Sequence, residues 1–158
     1  MRFSRRLLPL ALLALFSVCA QDRKTQHAKP TVVFVCEHGS AKSIIAAVEF
    51  KRMAAEKGLD LNILARGTSP DAEIPKPVRD GLKADGYDPG EWRPTKVSAK
   101  DLEGAKKIVS FGPDLTPWLT DGAAVADWSA TPPVSQDYRA ARDYILKQLE
   151  LLVKEIKK

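Results

Sequence analysis

Cysteine is scarce in this sequence, with only Cys19 and Cys36 among 158 residues. Cys19 lies in an apolar N-terminal segment with the features of a removable export signal, so the mature chain is expected to keep Cys36 alone. A single thiol excludes an internal disulfide, and no cysteine and histidine cluster has the spacing of a metal site. We therefore expect no metal and no cofactor, and we consider Cys36 as a free reactive thiol.

Long hydrophobic runs are lacking outside the first twenty residues. There, the basic stretch "MRFSRR" precedes the apolar run "LLPLALLALFSV", and the small residues of "VCAQ" fit cleavage after Ala20. The run is too short to span a bilayer comfortably, so we expect no stable membrane insertion after cleavage. The sequence thus predicts a signal peptide over residues 1–20, a polar tether over 21–30 and one domain over 31–158. The protein would be exported to the periplasm or secreted, and the alternative is a lipoprotein anchored at Cys19.

Excess positive charge is nearly absent from the predicted mature chain. The formal net charge of +5 includes three arginines of the signal, and their removal leaves 22 basic and 20 acidic residues, a net charge of +2. So small an excess gives little support to nucleic-acid binding, and we expect no nucleic-acid partner.

Strand-like and helical patterns alternate along the predicted domain. Short apolar runs predict strands at 31–36, 61–67, 106–112 and 123–129. Helical patterns occupy the segments between them and the end of the chain, at 42–58, 75–86, 98–105 and 137–158. In the first predicted helix, Phe50 and Ala54 lie on the apolar face and Glu49 on the polar side. This alternation predicts an α/β fold, a three-layer sandwich with a four-stranded parallel sheet.

The segment Thr31–Ser43, "TVVFVCEHGSAKS", joins the first predicted strand to the first predicted helix. A nucleotide P-loop needs glycine six residues before its lysine and glycine directly before it. Cys36 and Ala41 occupy those two positions, so the segment is not a nucleotide P-loop.

Two interpretations of Cys36 remain. A lone cysteine in a strand is often a buried thiol without a chemical role. Here, however, the cysteine ends its strand, and the loop after it opens into a helix whose free N–H groups and dipole favour an anion. The same field favours the thiolate, Lys42 adds a positive charge, and Ser43 can donate a hydrogen bond to sulfur.

This stretch resembles the active-site loop of the low-molecular-weight protein tyrosine phosphatases and the related arsenate reductases. Their loop has a hydrophobic strand, then cysteine, five residues, arginine and serine, and here Cys36 is followed after five residues by Lys42 and Ser43. The resemblance extends to "ARGTSP", to "VRDGLKADGYDPGEWRPTKVSAKDL" and to "DWSATPP", and so covers most of the chain from Thr31 onward.

The resemblance implies phosphomonoester hydrolysis, with phosphotyrosine among the substrates, through a cysteinyl-phosphate intermediate. Cys36 would be the nucleophile, Lys42 the electrostatic clamp and Ser43 the residue that stabilises the thiolate. The backbone N–H groups of the loop would hold the oxyanion, at Glu37, His38, Gly39, Ser40 and Ala41. The partner is accordingly a phosphate-like oxyanion or a phosphorylated substrate.

Three departures from the family pattern bear on activity. Lys42 replaces the family's arginine, and a point charge replaces a planar fork that grips two oxygens. Pro132 stands where the family has its general-acid aspartate, whereas the nearby Asp127 and Asp137 fit surface or helix-capping roles. The region "SFGPDLTPWL" contains no cysteine, which excludes the thioredoxin-coupled disulfide relay. The alternative function is therefore a non-catalytic protein that binds phosphate or arsenate.

Overall fold

Residues 29–158 are described by a computed structural model, and they contain a four-stranded parallel sheet. The predicted signal peptide and nearly all of the predicted tether lie outside the described residues. The strands are β1 (Thr31–Cys36), β2 (Asn62–Gly67), β3 (Lys107–Ser110) and β4 (Val125–Asp127), in the spatial order β2-β1-β3-β4. The predicted α/β class and parallel sheet are confirmed, although all but the first strand are shorter than predicted.

Helices cover both faces of the sheet. They are α1 (Lys42–Glu56), α2 (Lys76–Ala84), the single turn α3 (Ala99–Leu102) and α4 (Tyr138–Ile156), with a 3-10 turn at Thr116–Trp118. Alternate residues of β1 divide the core in two, because successive strand side chains point to opposite faces. Phe34 packs in the cluster that contains residues of α1, α2 and α4, whereas Val33 packs with Leu102 and Leu115 on the other face.

The central strand β1 is buried on both sides, which explains its continuous apolar sequence. The Phe34 ring meets Phe50 of α1 edge-on, with ring centroids 5.7 Å apart, and lies 5.9 Å from Trp128 after β4. These aromatic contacts join α1 and the loop after β4 to β1, the strand that ends at Cys36.

Glu49 is an exception to the predicted pattern of α1. We placed it on the polar side of the helix, but only 3% of its side chain is exposed. The prediction assumed a single apolar stripe, whereas α1 packs against both the sheet and α4, so a wider part of its surface is covered. The buried carboxylate is paired with the half-exposed Arg52, whose Nη2 donates to Glu49 Oε2 over 2.7 Å.

Residues 29–158 contain four α-helices and one 3-10 turn. No helix in that range has both the length and the apolar character needed to cross a bilayer.

Candidate active site

Cys36 lies at the carboxyl end of the central strand, where parallel α/β sheets usually place their ligand sites. Its side chain is almost fully buried, and its sulfur has two polar neighbours. The Gly39 backbone N–H donates to Sγ over 3.1 Å, and Ser43 Oγ lies 3.1 Å from the same atom. Both contacts stabilise negative charge on sulfur when the N–H and the hydroxyl donate.

The N-terminus of α1 faces the same loop. Ala41 occupies the N-cap position and provides no side-chain hydrogen bond, and the first turn of α1 contains no acidic residue. The first backbone N–H groups of a 15-residue helix therefore have neither a side-chain cap nor a neighbouring carboxylate in that turn. Their dipole favours an anion at this position.

The loop after Cys36 is oriented by backbone hydrogen bonds to the segment that follows β2. The carbonyls of Cys36, Glu37 and His38 accept from the N–H groups of Thr68, Ser69 and Asp71, respectively, over 3.1, 2.8 and 3.0 Å. In a planar trans peptide the N–H of the next residue points away from the preceding carbonyl. The N–H groups of Glu37, His38 and Gly39 are thus directed away from that segment, and Gly39 N–H indeed points at Sγ.

A close backbone approach holds this arrangement together. Gly39 has φ +63°, and a Cβ atom there would lie 2.9 Å from the backbone nitrogen of Gly67. A Cβ atom on Gly67 would in turn lie 2.7 Å from the Gly39 nitrogen. Side chains at either position would force the loop away from the end of β2.

Lys42 bridges the cysteine loop and the loop after β4. Its Nζ donates to the carbonyl oxygen of Thr131 over 2.7 Å. Thr131 is itself fixed, because its N–H and hydroxyl both donate to the Trp128 carbonyl. Partial burial lowers the pKa of Lys42, and the nearby negative charge of Cys36 opposes that shift.

Polar side chains at the rim of the loop form a second group of contacts. Asp71, which follows β2, accepts a hydrogen bond from the buried Ser40 hydroxyl at Oδ2 over 2.5 Å. Its other oxygen lies 3.3 Å from His38 Nδ1, and His38 Nε2 lies 3.8 Å from a Glu37 carboxylate oxygen. His38 and Glu37 are mostly exposed, so their side chains face the approach to the site.

These groups surround a cavity of about 450 Å³. Part of its lining comes from the cysteine loop and the segment after β2, with Cys36, Glu37, His38, Ser40, Ala41, Lys42 and Asp71. The remaining lining is mainly apolar and consists of Pro75, Pro77, Val78, Phe111, Pro133, Val134 and Ser135. The size is in the range of small-molecule sites, and the division of its walls suits a ligand with an anionic end and an apolar body.

Comparison with known proteins identifies the fold. No protein-family model matches the chain. Among solved structures, a low-molecular-weight phosphotyrosine phosphatase of Vibrio cholerae superposes with a TM-score of 0.71 at 16% identity, covering 82% of this chain and 97% of that one. The chain has the low-molecular-weight phosphatase fold.

The arsenate reductases share this low-molecular-weight phosphatase fold. A thioredoxin-dependent arsenate reductase of Corynebacterium glutamicum has a TM-score of 0.71 at 21% identity, covering 85% of this chain and 65% of that one. An arsenate reductase in the phosphate-binding state has a TM-score of 0.66 at 20% identity, covering 80% and 98%. In sequence, a protein of Halobacterium salinarum provisionally named an arsenate reductase is 24% identical over 112 residues, 70% of this chain and 79% of that protein. The resemblance drawn from the sequence is thus confirmed for the fold.

Within this low-molecular-weight phosphatase fold, the acids near Pro132 have other partners. Asp127 accepts a hydrogen bond from the Ser129 N–H over 2.8 Å, and Asp137 caps α4 by accepting from the Ala140 N–H over 3.0 Å. Neither aspartate lines the cavity. Both therefore have the surface and capping roles expected of them from the sequence.

Sequence reasoning missed three contributors to the site. Gly67 was noted only as part of "ARGTSP", although a glycine ending a strand is a signal of close backbone approach. Asp71 lies 35 residues after Cys36 and gave no local signal. The Thr131 carbonyl is a backbone atom, and no residue pattern indicates that it accepts from Lys42.

Proposed function

We propose that this protein hydrolyses phosphomonoesters through a cysteinyl-phosphate intermediate. The observation that carries the proposal is the surroundings of Cys36 Sγ: the Gly39 nitrogen and the Ser43 hydroxyl oxygen each lie 3.1 Å from it, and Cys36 lines the cavity. A buried sulfur so placed, in front of an uncapped helix N-terminus, suits a thiolate that attacks a tetrahedral anion.

The chemistry proceeds in two steps. The Cys36 thiolate attacks phosphorus, the S–P bond forms and the bond to the ester oxygen breaks. Water then attacks the phosphocysteine, releases orthophosphate and restores the thiolate. The inward N–H groups of the loop hold the three equatorial oxygens, and the Ser43 hydroxyl stabilises sulfur when it is the leaving group.

Lys42 supplies positive charge beside the phosphoryl group. Its ammonium has three N–H donors, and the Thr131 carbonyl takes one of them. The remaining two are free to bind an oxyanion oxygen without breaking that contact. The clamp is weaker than an arginine fork, because an ammonium is a strongly hydrated point charge.

The apolar wall of the cavity favours an aryl phosphate over a small hydrophilic ester. The exposed Pro75, Pro77 and Pro133 offer contact area for a ring whose phosphate reaches Cys36. Phosphotyrosine has that shape. The related phosphotyrosine phosphatase of known structure supports this substrate class, and the phosphate-binding state of the arsenate reductase supports oxyanion binding.

Non-catalytic oxyanion binding is the second candidate, and Pro132 favours it. Without an acid at that position, the family's route for protonating the leaving group is missing, at a typical cost of about 10²–10⁴ in rate. The same loop would then bind phosphate or arsenate without turnover.

A trapping experiment separates the two candidates. Purified protein is mixed with p-nitrophenyl phosphate, and the release of phosphate is followed while samples are quenched in acid. The enzyme model predicts turnover and a protein mass increased by one phosphoryl group, with neither in Cys36→Ala, which has no nucleophilic atom at that position. Calorimetric binding of orthophosphate without turnover or covalent phosphate would establish the binding protein instead, and absence of both would reject the site.

We further propose that the mature chain functions outside the cytoplasm. The support is the arrangement of basic, apolar and small residues over positions 1–20. Periplasmic or secreted protein is the preferred location, and attachment through a lipidated Cys19 is the alternative.

A further inference from the structure

The leaving group of a phosphomonoester needs a proton, and the position of the family's acid contains Pro132. Asp127 and Asp137 are directed elsewhere by their own hydrogen bonds. Among the described residues, the ionisable side chains that line the cavity are Cys36, Glu37, His38, Lys42 and Asp71. If Cys36 is the nucleophile and Lys42 the clamp, a proton donor has to come from the remaining three.

His38 and Asp71 are arranged as an oriented pair. The Asp71 N–H donates to the His38 carbonyl over 3.0 Å, which joins the two backbones. Asp71 Oδ1 lies 3.3 Å from His38 Nδ1, and Ser40, which is fully buried, anchors the other carboxylate oxygen. A carboxylate facing Nδ1 favours a proton on that nitrogen and leaves Nε2 as the nitrogen that exchanges protons with a ligand.

The two carboxylates are less suited to be the donor. Both oxygens of Asp71 already face a donor, one from Ser40 and one from His38. Glu37 also lines the cavity, but its side chain is 70% exposed and lacks the positioned partner that Asp71 gives to His38. Its carboxylate lies 3.8 Å from His38 Nε2.

We propose that His38 is the proton donor of this site and that Asp71 positions it, an assignment that rests on the proposed phosphatase function. As Cys36 Sγ bonds to phosphorus and the ester bond breaks, the imidazolium gives its Nε2 proton to the departing oxygen and becomes neutral. In the second step the neutral imidazole takes a proton from the attacking water. Orthophosphate leaves, and the thiolate and the imidazolium are both restored.

The experiment compares two substrates that differ in their need for a proton. Phenyl phosphate has a basic leaving group, whereas p-nitrophenolate leaves readily without protonation. In His38→Gln, kcat/KM is expected to fall by about 10²-fold or more for phenyl phosphate and by less than about tenfold for p-nitrophenyl phosphate. kcat/KM is the measure because it reports the first chemical step even when hydrolysis of phosphocysteine limits turnover.

Asp71→Asn provides the second variant. It keeps a side-chain oxygen for Ser40 but removes the charge that faces Nδ1, so the same selective loss is expected with a smaller amplitude. Orthophosphate binding, measured by calorimetry, should stay within a few-fold of the wild-type value in His38→Gln, because the loop's backbone contacts do not use the imidazole.

The outcomes are distinguishable. If His38→Gln lowers kcat/KM equally for both substrates, or for neither, His38 is not the proton donor. Turnover by the wild-type protein would still support the phosphatase proposal in that case. A wild-type protein that hydrolyses neither substrate overturns both proposals together.

Discussion

Lys42 donates a hydrogen bond to the Thr131 carbonyl and is proposed to bind the oxyanion as well. Replacement by arginine would supply a planar fork for two oxygens in place of one point charge. Lys42→Arg is therefore expected to tighten orthophosphate binding by about 1 kcal/mol, roughly fivefold, the scale of one added charged hydrogen bond. Calorimetry at neutral pH measures the change, with Lys42→Ala as the variant expected to weaken binding. Equal affinity in all three proteins would contradict a clamp at this position.

The same residue predicts a pH dependence. Burial lowers the pKa of Lys42 from its ordinary value of 10.5, so the folded protein loses this proton before an unfolded chain does. Orthophosphate affinity should decline in the alkaline range below that value in the wild type and persist in Lys42→Arg. The effect on folding has the opposite sign. Between the lowered pKa and the ordinary one, Lys42 holds its proton in the unfolded chain but not in the folded protein. The free energy of unfolding therefore increases as the pH rises through that range. Affinity that declines equally in both proteins would assign the change to another group.

Gly67 predicts a different kind of defect. In Gly67→Ala the new methyl group would lie 2.7 Å from the Gly39 nitrogen, against backbone that has no freedom to rotate away. We expect a stability loss of about 1–3 kcal/mol, from denaturant titration, together with at least a tenfold loss of orthophosphate affinity. Gly86→Ala is the control, because Gly86 has φ +90° and open space around it. It should lose about 1 kcal/mol of stability through backbone strain and keep its affinity.

At the scale of elements, a partly buried polar contact away from the cavity joins Asp85, the residue directly after α2, to α4. The Tyr138 hydroxyl donates to Asp85 Oδ2 over 2.7 Å, and Arg142 Nη1 donates to the other oxygen of the same carboxylate. Burial, and then the charge of Asp85, raise the pKa of Tyr138, so its phenol stays protonated and remains a donor. Gly81 makes room for the ring, because any Cβ there would overlap Tyr138.

Tyr138→Phe removes that donor and leaves Asp85 with Arg142 alone. The expected result is a loss of about 1–2 kcal/mol in the free energy of unfolding with no change in orthophosphate affinity. Denaturant titration and calorimetry measure the two quantities. Tyr144→Phe on the same helix is the matched control and should be nearly neutral. A large effect on binding in Tyr138→Phe would show that the helices on this face control the cavity.

The order and type of the helices and strands could be predicted because each depends on a pattern of neighbouring residues in the sequence. Apolar runs predicted the strands, and Asp137, placed in a surface or capping role, caps α4. The contact within the cysteine loop was equally local, since Cys36 and Ser43 are seven residues apart. Contacts between distant segments were not predictable, because Lys42 and Thr131 are 89 residues apart and meet only once the sheet is formed.

Burial at α1 was the clearest failure at this scale. Glu49 looked like a surface residue because a carboxylate is rarely buried. Its burial depends on Arg52 one turn later and on the packing of α4, which no local pattern of α1 contains.

The whole chain carries a prediction about processing. Cleavage after Ala20 would leave a mature protein that begins at Gln21 and contains Cys36 as its one thiol. Intact mass of protein isolated from its native compartment tests this, before and after alkylation under denaturing conditions. The expected mass corresponds to residues 21–158 and gains one alkyl group. A diacylated Cys19 at the N-terminus would place the protein on a membrane.

The three backbone hydrogen bonds between residues 36–38 and 68–71 should slow local opening of this part of the backbone. They continue the pairing of β1 with β2 beyond the strands, so the amides of Thr68, Ser69 and Asp71 should exchange with deuterium about as slowly as strand amides. Native-state exchange would detect this protection. Because main-chain atoms alone make these three bonds, replacing the side chain of Glu37 or His38 should leave the protection of the three amides unchanged.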